Sequence, residues 1–83
     1  MSARIHVDFD AGEGALLRMV GLVERRGFIV DSVSMAAVEG RGSLSLNVEP
    51  RDAGRRLDVI AAQLRRLRDV RNVSIHSCEP GAL

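Results

Sequence analysis

The chain has 83 residues, of which 46% are hydrophobic and only two are aromatic, and its formal net charge at pH 7 is +1. This length suits one small folded domain, and the balanced charge provides no strong field to attract nucleic acid. A single cysteine excludes an internal disulfide framework. No apolar run is long enough to span a membrane and no signal peptide is recognisable, so we expect a cytoplasmic protein without membrane association.

The first half of the chain predicts a strand, a loop, a helix and a second strand. Residues 4–9 alternate between polar and apolar side chains, which is typical of a strand with one solvent-exposed face. The glycine-containing segment 10–14 predicts a loop. Residues 13–26 predict a helix, because apolar residues recur at helical spacing and two arginines precede Gly27 at its end. Residues 28–38 are rich in apolar and β-branched side chains and predict the second strand.

The second half predicts a hairpin, a helix and a last strand. Residues 39–42 predict a turn, and residues 43–49 alternate as a third strand that Pro50 ends. Asp52 is the expected N-cap of the second helix. The apolar stripe of that helix comprises Leu57, Ile60, Ala61, Leu64 and Leu67. A short strand follows around residues 72–76, and residues 78–83 are predicted to be a flexible tail.

The order β-α-β-β-α-β predicts one α+β domain over residues 1–77. Right-handed crossovers place both helices on one face of an antiparallel four-stranded sheet, which is the ferredoxin-like arrangement.

The second strand has an irregular apolar pattern. Phe28 and Val30 share one phase of the alternation, whereas Val33 and Met35 have the opposite phase. Either a bulge resets the register or both faces of the strand are covered. Because this strand lies at a sheet edge, we expect edge-to-edge contact with a second copy, against the alternative of a bulge with local packing. The candidate dimer contact comprises Val33, Met35, Ala36 and Ala37.

No catalytic, metal or nucleic-acid site is predicted. The open sheet face carries Arg4, His6 and Asp8 where RNA-binding relatives of this fold would need aromatic side chains. Neither glycine pair forms a dinucleotide fingerprint, and no cysteine pair suits a soft metal. The loop glycines Gly12 and Gly14 admit two interpretations. They either let backbone N–H groups approach a carboxylate, which Glu13 would oppose, or simply form a tight turn.

Several segments carry a family resemblance when they are read in one register. They are Gly14-Ala15-Leu16, Arg18, Gly21-Leu22, Arg26-Gly27-Phe28 and Asp31-Ser32. Together they closely resemble the ACT domain of acetolactate synthase small (regulatory) subunits. Residues 26–37 look most like the short isozyme II type, and residues 63–70 are similar to the family's second helix and its exit. The similarity covers about residues 3–77.

The resemblance implies an ACT domain that acts as a non-catalytic regulatory subunit. Its partner would be the large, thiamine-diphosphate-dependent subunit of acetolactate synthase, which serves branched-chain amino-acid biosynthesis. The small subunit would activate or stabilise that partner and would hold no cofactor itself. Family members commonly pair through their ACT sheets, in agreement with a homodimer through the second strand.

The resemblance also concerns an amino-acid effector. Valine-sensing members place one asparagine three residues before the loop glycine and another after the Arg-Gly-aromatic triplet, and here those positions are Ala11 and Ile29. We therefore expect weak amino-acid binding at most and little inhibition by valine. The candidate effector loop comprises Asp10, Ala11, Gly12, Gly14, Ala15 and Ile29. The alternative function is a free-standing ACT module that senses a small amino acid at a dimer interface.

Overall fold

A computed structural model describes residues 2–52 and 54–78 of the chain. The elements are β1 (Ser2–Asp10), α1 (Ala15–Arg25), β2 (Phe28–Val38), β3 (Arg41–Pro50), α2 (Leu57–Arg65) and β4 (Val70–Cys78). The four strands pair antiparallel in the order β2-β3-β1-β4. This confirms the predicted ferredoxin-like βαββαβ fold and places β2 at a sheet edge.

The core lies between the helices and the two central strands. Every second residue of β1 and β3 is buried, as strict alternation predicts for a sheet that is covered on one face. Both helices contribute apolar side chains to this layer. The largest fully buried side chains are Ile5, Val7, Phe9, Met19, Val23, Phe28, Leu44, Leu46, Val48, Ile60 and Leu64.

The β2–β3 hairpin is tighter than the sequence predicts. Its turn consists of Glu39 and Gly40, both of which have positive φ (50° and 79°), as a two-residue turn between twisted strands requires. Arg41 and Gly42, which were expected in the turn, belong to β3. Gly42 is buried because the Phe9 ring lies against it, leaving no room for a side chain.

The prediction that Asp52 caps α2 is wrong. The helix begins at Leu57, and its N-cap position is Arg56, which makes no side-chain capping hydrogen bond. The Asp52 carboxylate instead accepts a hydrogen bond from the Gly54 N–H at 3.0 Å. This local bond within the β3–α2 connection uses the carboxylate that was expected at the helix terminus.

A bulge explains the irregular pattern of β2. The register with β3 shifts between Val30 and Ser32, so Asp31 is the extra residue. Val33 and Met35 pair with Leu46 and Leu44 and therefore share the helix-facing side with Phe28 and Val30. The bulge, one of the two alternatives that the sequence leaves open, is therefore present, and Val33 and Met35 are not out of phase in the folded strand.

Two predicted boundaries also move. The first helix begins at Ala15 rather than at residue 13, because Gly14 has a left-handed φ of 75° that a helix cannot include. It ends as expected before Gly27, whose φ is 92°. The last strand extends through Cys78, which pairs with Ser2, where the tail was predicted to begin. The rest of that tail, 79–83, lies outside the described residues.

Candidate functional site

The β1–α1 loop (residues 11–14) is fixed by backbone hydrogen bonds at the end of β1. The Asp10 N–H donates to the Asp69 carbonyl at 2.7 Å, and the Ala11 N–H donates to the Gly40 carbonyl at 2.8 Å. The Gly12 N–H turns back to the Asp10 carbonyl at 2.9 Å. These bonds connect the loop to the hairpin turn on one side and to the start of β4 on the other, so its conformation is well defined.

The first turn of α1 leaves backbone donors available. The Ala15 N–H donates to the Gly12 carbonyl and the Arg18 N–H to the Gly14 carbonyl, but within the described chain the N–H groups of Leu16 and Leu17 reach no backbone carbonyl. Gly14 at the N-cap provides no side-chain acceptor. These donors, together with the positive end of the helix dipole, suit a carboxylate.

Arginines surround this loop and pair with its carboxylates. Arg71 Nε donates to Asp10 Oδ1 at 2.6 Å, and Arg41 Nε lies 3.8 Å from the same oxygen. Arg18 forms an ion pair with Asp69 and lies over Gly14. Because two guanidinium groups already neutralise Asp10, its carboxylate is poorly available for a ligand's ammonium group.

The structure brings five of the six candidate effector residues together and separates the sixth. The adjacent residues 10–12, 14 and 15 form one end of the sheet, whereas Ile29 lies at the start of β2. Along β3, the partner of Ile29 is Glu49 and the partner of Asp10 is Arg41. Eight residues of strand correspond to about 26 Å, so one chain cannot place Ile29 and the loop against the same amino acid.

His6 lies in a polar network on the open sheet face. Its Nδ1 is 3.2 Å from Ser45 Oγ, and its Nε2 lies 3.3 Å from both Ser43 Oγ and Asp8 Oδ1. A serine, an imidazole and a carboxylate are thus adjacent, which the sequence did not suggest because the serines come from another strand. Strand N–H groups lie in the plane of the sheet, so the backbone of this flat face offers no oxyanion-binding donors.

The candidate dimer contact lies in the C-terminal half of β2, residues 33–38, which we call the outer half of this strand. All four residues of the contact are exposed, with Val33 at 48% and Met35 at 40%. Val33, Met35 and Ala37 face the helix side of the sheet, while Ala36 pairs with Ser43 on the polar side. Within the described residues no strand pairs with the outer edge of β2. The edge therefore combines unpaired backbone with exposed apolar side chains.

A cavity that the sequence did not predict lies at the other end of the molecule. It has a volume of about 160 Å³ and lies between the C-terminal end of α1 and the N-terminal end of α2. Arg26, Arg55 and Arg56 line it together with apolar side chains. We call it the helix-end cavity. Its residues come from two segments almost thirty positions apart, so only the folded chain brings them together.

The fold defines a class of small βαββαβ domains with an antiparallel four-stranded sheet. The sequence of residues 12–73 matches the family model of the ACT domain, and the chain belongs to that family. ACT domains are regulatory modules and are generally non-catalytic.

Solved structures agree with this assignment at the level of the fold. The ACT domain of GTP pyrophosphokinase from Chlorobium tepidum superposes with a TM-score of 0.77 at 16% identity, covering 90% of this chain and 96% of that one. A formyltetrahydrofolate deformylase from Pseudomonas putida KT2440 gives 0.80 at 10% identity, covering 94% of this chain and 29% of that one.

The small subunit of acetolactate synthase from Thermotoga maritima has a TM-score of 0.74 at 19% identity. The match covers 90% of this chain and 47% of the T. maritima chain, so the present sequence spans about half of that protein. No curated protein matches the sequence. Across residues 2–52 and 54–78, no helix has the length and apolar character needed to cross a membrane.

Proposed function

We propose that this chain is the regulatory small subunit of a cytoplasmic acetolactate synthase and that it activates or stabilises the large catalytic subunit. The sequence resemblance in residues 26–37 and 63–70 supports the proposal, as does the shared fold with the T. maritima small subunit. The structural observation that supports it most is the open β2 edge, because an exposed apolar edge strand favours the pairing of two ACT sheets that the resemblance implies.

The test is reconstitution with the large subunit. We expect co-purification of the two chains and a rise in acetolactate formation or in retained thiamine diphosphate. Such activation requires that the small subunit bind the active arrangement of its partner more tightly than the inactive one. If saturating amounts of this chain change neither quantity, the assignment to acetolactate synthase is wrong.

We also propose a homodimer through antiparallel pairing of two β2 edges. Replacing Met35 by Arg places a charge in the contact, where it would be desolvated without a partner, so we expect a monomer. Val59→Arg is the matched control, since Val59 has a similar exposure of 46% but lies on α2, which packs over the opposite sheet edge. Light scattering at about 10–50 μM, a range in which weak association is visible, distinguishes the states. A monomeric wild-type protein would contradict the proposal.

Pairing of this kind has a consequence for the effector loop. Because antiparallel pairing brings opposite ends of two β2 strands together, Ile29 of the partner subunit would reach the end of the sheet that holds the loop. The effector residues would then meet only across the dimer.

We propose that valine inhibition is weak. A buried zwitterion needs partners for both charged groups. The N–H groups at the start of α1 suit its carboxylate, but Ala11 and Ile29 offer no side-chain amide to its ammonium, and Asp10 is held by arginines. A valine titration of the reconstituted enzyme tests this, and half-inhibition at micromolar valine would contradict it. The double change Ala11→Asn with Ile29→Asn is expected to increase valine sensitivity.

The second candidate is a free-standing ACT module that senses a small amino acid. The available N–H groups of Leu16 and Leu17 favour it, because they need no enzyme partner to bind a carboxylate. Calorimetry of the isolated chain with a panel of small amino acids separates the two functions. Saturable binding without any effect on the large subunit would favour the free-standing sensor.

A further inference from the structure

The helix-end cavity is distant from the β1–α1 loop. Phe28 begins β2, and the arginines follow the end of α1 or precede the start of α2, so the cavity lies at the sheet end where β1 begins. The loop lies where β1 ends. A ligand in the cavity would therefore occupy a second site, separate from the effector loop and from the outer half of β2.

The cavity has an apolar floor and a cationic rim. Phe28 and Ile60 are at most 1% exposed and form its base, with the half-exposed Val59 beside them. Arg26, Arg55 and Arg56 are exposed, and no residue of the lining is acidic. An apolar base beneath guanidinium groups is suited to a molecule that has a hydrocarbon body and an anionic head.

Arg55 is held in place before any ligand binds. Its side chain lies so close to Gly27 that a Cβ added to this glycine would collide with the guanidinium group. Gly27 is buried and its φ of 92° also favours glycine. Asp52 Oδ1 lies 3.5 Å from Arg55 Nε. The guanidinium is therefore preorganised at the rim, which lowers the entropic cost of binding an anion.

The ion pairs at the rim leave one positive charge uncompensated. Asp58 receives two hydrogen bonds from Arg56, at 2.9 and 3.1 Å, and Asp52 accompanies Arg55. Within the described chain no carboxylate lies within 4.0 Å of the Arg26 guanidinium. The rim thus favours a single negative charge on the ligand over a dianion.

The size and lining of the cavity further restrict the class of ligand that it can hold. A cavity of about 150 Å³ holds a molecule the size of benzene, so this one suits roughly six to ten non-hydrogen atoms. An α-ammonium group would meet the uncompensated charge of Arg26, while the nearby carboxylates of Asp52 and Asp58 are already paired with Arg55 and Arg56. We propose that the helix-end cavity binds small aliphatic monocarboxylates without an α-amino group, such as a branched acid of four to six carbons.

The experiment compares isovalerate with valine, because the two molecules share one carbon skeleton and differ only in the amino group. Each is titrated into the wild-type chain alone at pH 7 and followed by amide chemical shifts. We expect saturable binding of isovalerate with a Kd of about 1 mM or below and shifts concentrated at Arg26, Phe28 and Gly54. We expect valine to bind at least tenfold more weakly than isovalerate, as measured by the chemical shifts of the same amides. Inorganic phosphate is titrated in parallel and is expected to bind more weakly than isovalerate.

Charge-matched variants locate the site. Arg26→Ala is expected to weaken isovalerate binding about tenfold, which is the loss of one charge-assisted contact. Arg25→Ala removes the same charge one residue away, outside the lining, and is expected to leave Kd unchanged. Val59→Glu introduces an anion at an exposed wall position and is expected to abolish binding. Arg26→Gln replaces Arg26→Ala if the alanine variant does not fold.

The proposal is overturned if isovalerate fails to saturate below about 20 mM, if it binds equally to the Arg25 and Arg26 variants, or if valine binds the cavity as tightly. Tighter binding of phosphate would show a general anion site and would also overturn it. Every measurement uses the isolated chain, so its outcome does not depend on whether acetolactate synthase is the partner.

Discussion

The central strand β3 and the edge strand β2 are paired residue by residue, yet they contribute very differently to the molecule. Leu46 on β3 is fully buried, while Val33, which pairs directly with it and faces the same side, is 48% exposed. The exposed strand β2 is the more apolar of the two, with eight hydrophobic residues among eleven against three among ten in β3, so composition does not explain the difference. The difference arises from position, because β3 has a strand on both sides, whereas β2 has a neighbour on one side only and is exposed over its second half.

We expect the largest difference in stability when the side chains of this pair, Leu46 and Val33, are each truncated to alanine. Leu46→Ala leaves a cavity in the core and should lower the free energy of unfolding by about 2–5 kcal/mol. Val33→Ala removes a half-exposed side chain and should cost about 1 kcal/mol or less in the monomer. Urea unfolding of both variants at low protein concentration measures the two values. Equal losses would show that the outer half of β2 is covered.

A second contrast concerns added rather than removed volume. Gly42→Ala inserts a methyl group against the Phe9 ring and should cost about 1–3 kcal/mol through overpacking. Gly12→Ala is the control, because its Cβ meets nothing within 4 Å and its φ is ordinary, so we expect a change close to zero. Thermal unfolding of both variants distinguishes them. If Gly42→Ala leaves the stability unchanged, the Phe9 ring can move aside. The packing at the centre of the sheet would then adapt to added volume despite its burial.

The bulge in β2 predicts that one deletion is better tolerated than another. Deleting Asp31 removes the extra residue and preserves every pairing with β3, so we expect a loss below about 1 kcal/mol. After deletion of Ser34, the bulge can restore the register only if Val33 moves to the polar face and Ser32 to the helix face. This change should lower the free energy of unfolding by more than the Asp31 deletion does. Unfolding curves of the two variants provide the measurement. If the Asp31 deletion proves the more damaging, the bulge does not lie between Val30 and Ser32.

Strict alternation made most of the fold predictable. The apolar positions of β1 and β3 and the stripe of α2 identify the buried faces directly, because a covered sheet face and an amphipathic helix each impose a fixed period. The start of α1 was misplaced because Gly14 adopts a left-handed conformation that no local pattern reveals. Asp52 was misassigned because a nearby N–H in the connection competes with the helix terminus for its carboxylate.

The surfaces were predictable to a smaller extent. The edge position of β2 followed from topology, but its irregular pattern was compatible with either a bulge or two covered faces, and only the register of the folded strand reveals the bulge. All twelve basic residues are arginine, so residue type alone does not single out the arginines around the helix-end cavity. Their convergence depends on contacts between Gly27 and Arg55, far apart in the sequence, and no periodicity encodes such contacts.

The smallest expected effect is that of pH on stability, which acts through charged groups at the periphery and not through the core. Within the described residues no charged side chain is fully buried, and Asp58 is among the exposed ones. The hydrogen bond from Arg56 lowers the pKa of Asp58 below its ordinary value of 3.8. Because the folded-state pKa is the lower one, this pair stabilises the protein above the ordinary value, and the contribution disappears as pH falls through the folded-state pKa.

Asp58→Asn should therefore reduce Tm slightly at pH 7, and the difference from wild type should vanish below the folded-state pKa of Asp58. The effect is small because the pair is solvent-exposed and its attraction is screened. Calorimetric scans of both proteins between pH 7 and pH 2 measure it, with Leu46→Ala as a reference whose deficit should change little with pH. A Tm difference for Asp58→Asn that persists unchanged at the acid end would show that the carboxylate acts through packing at the start of α2 and not through its charge.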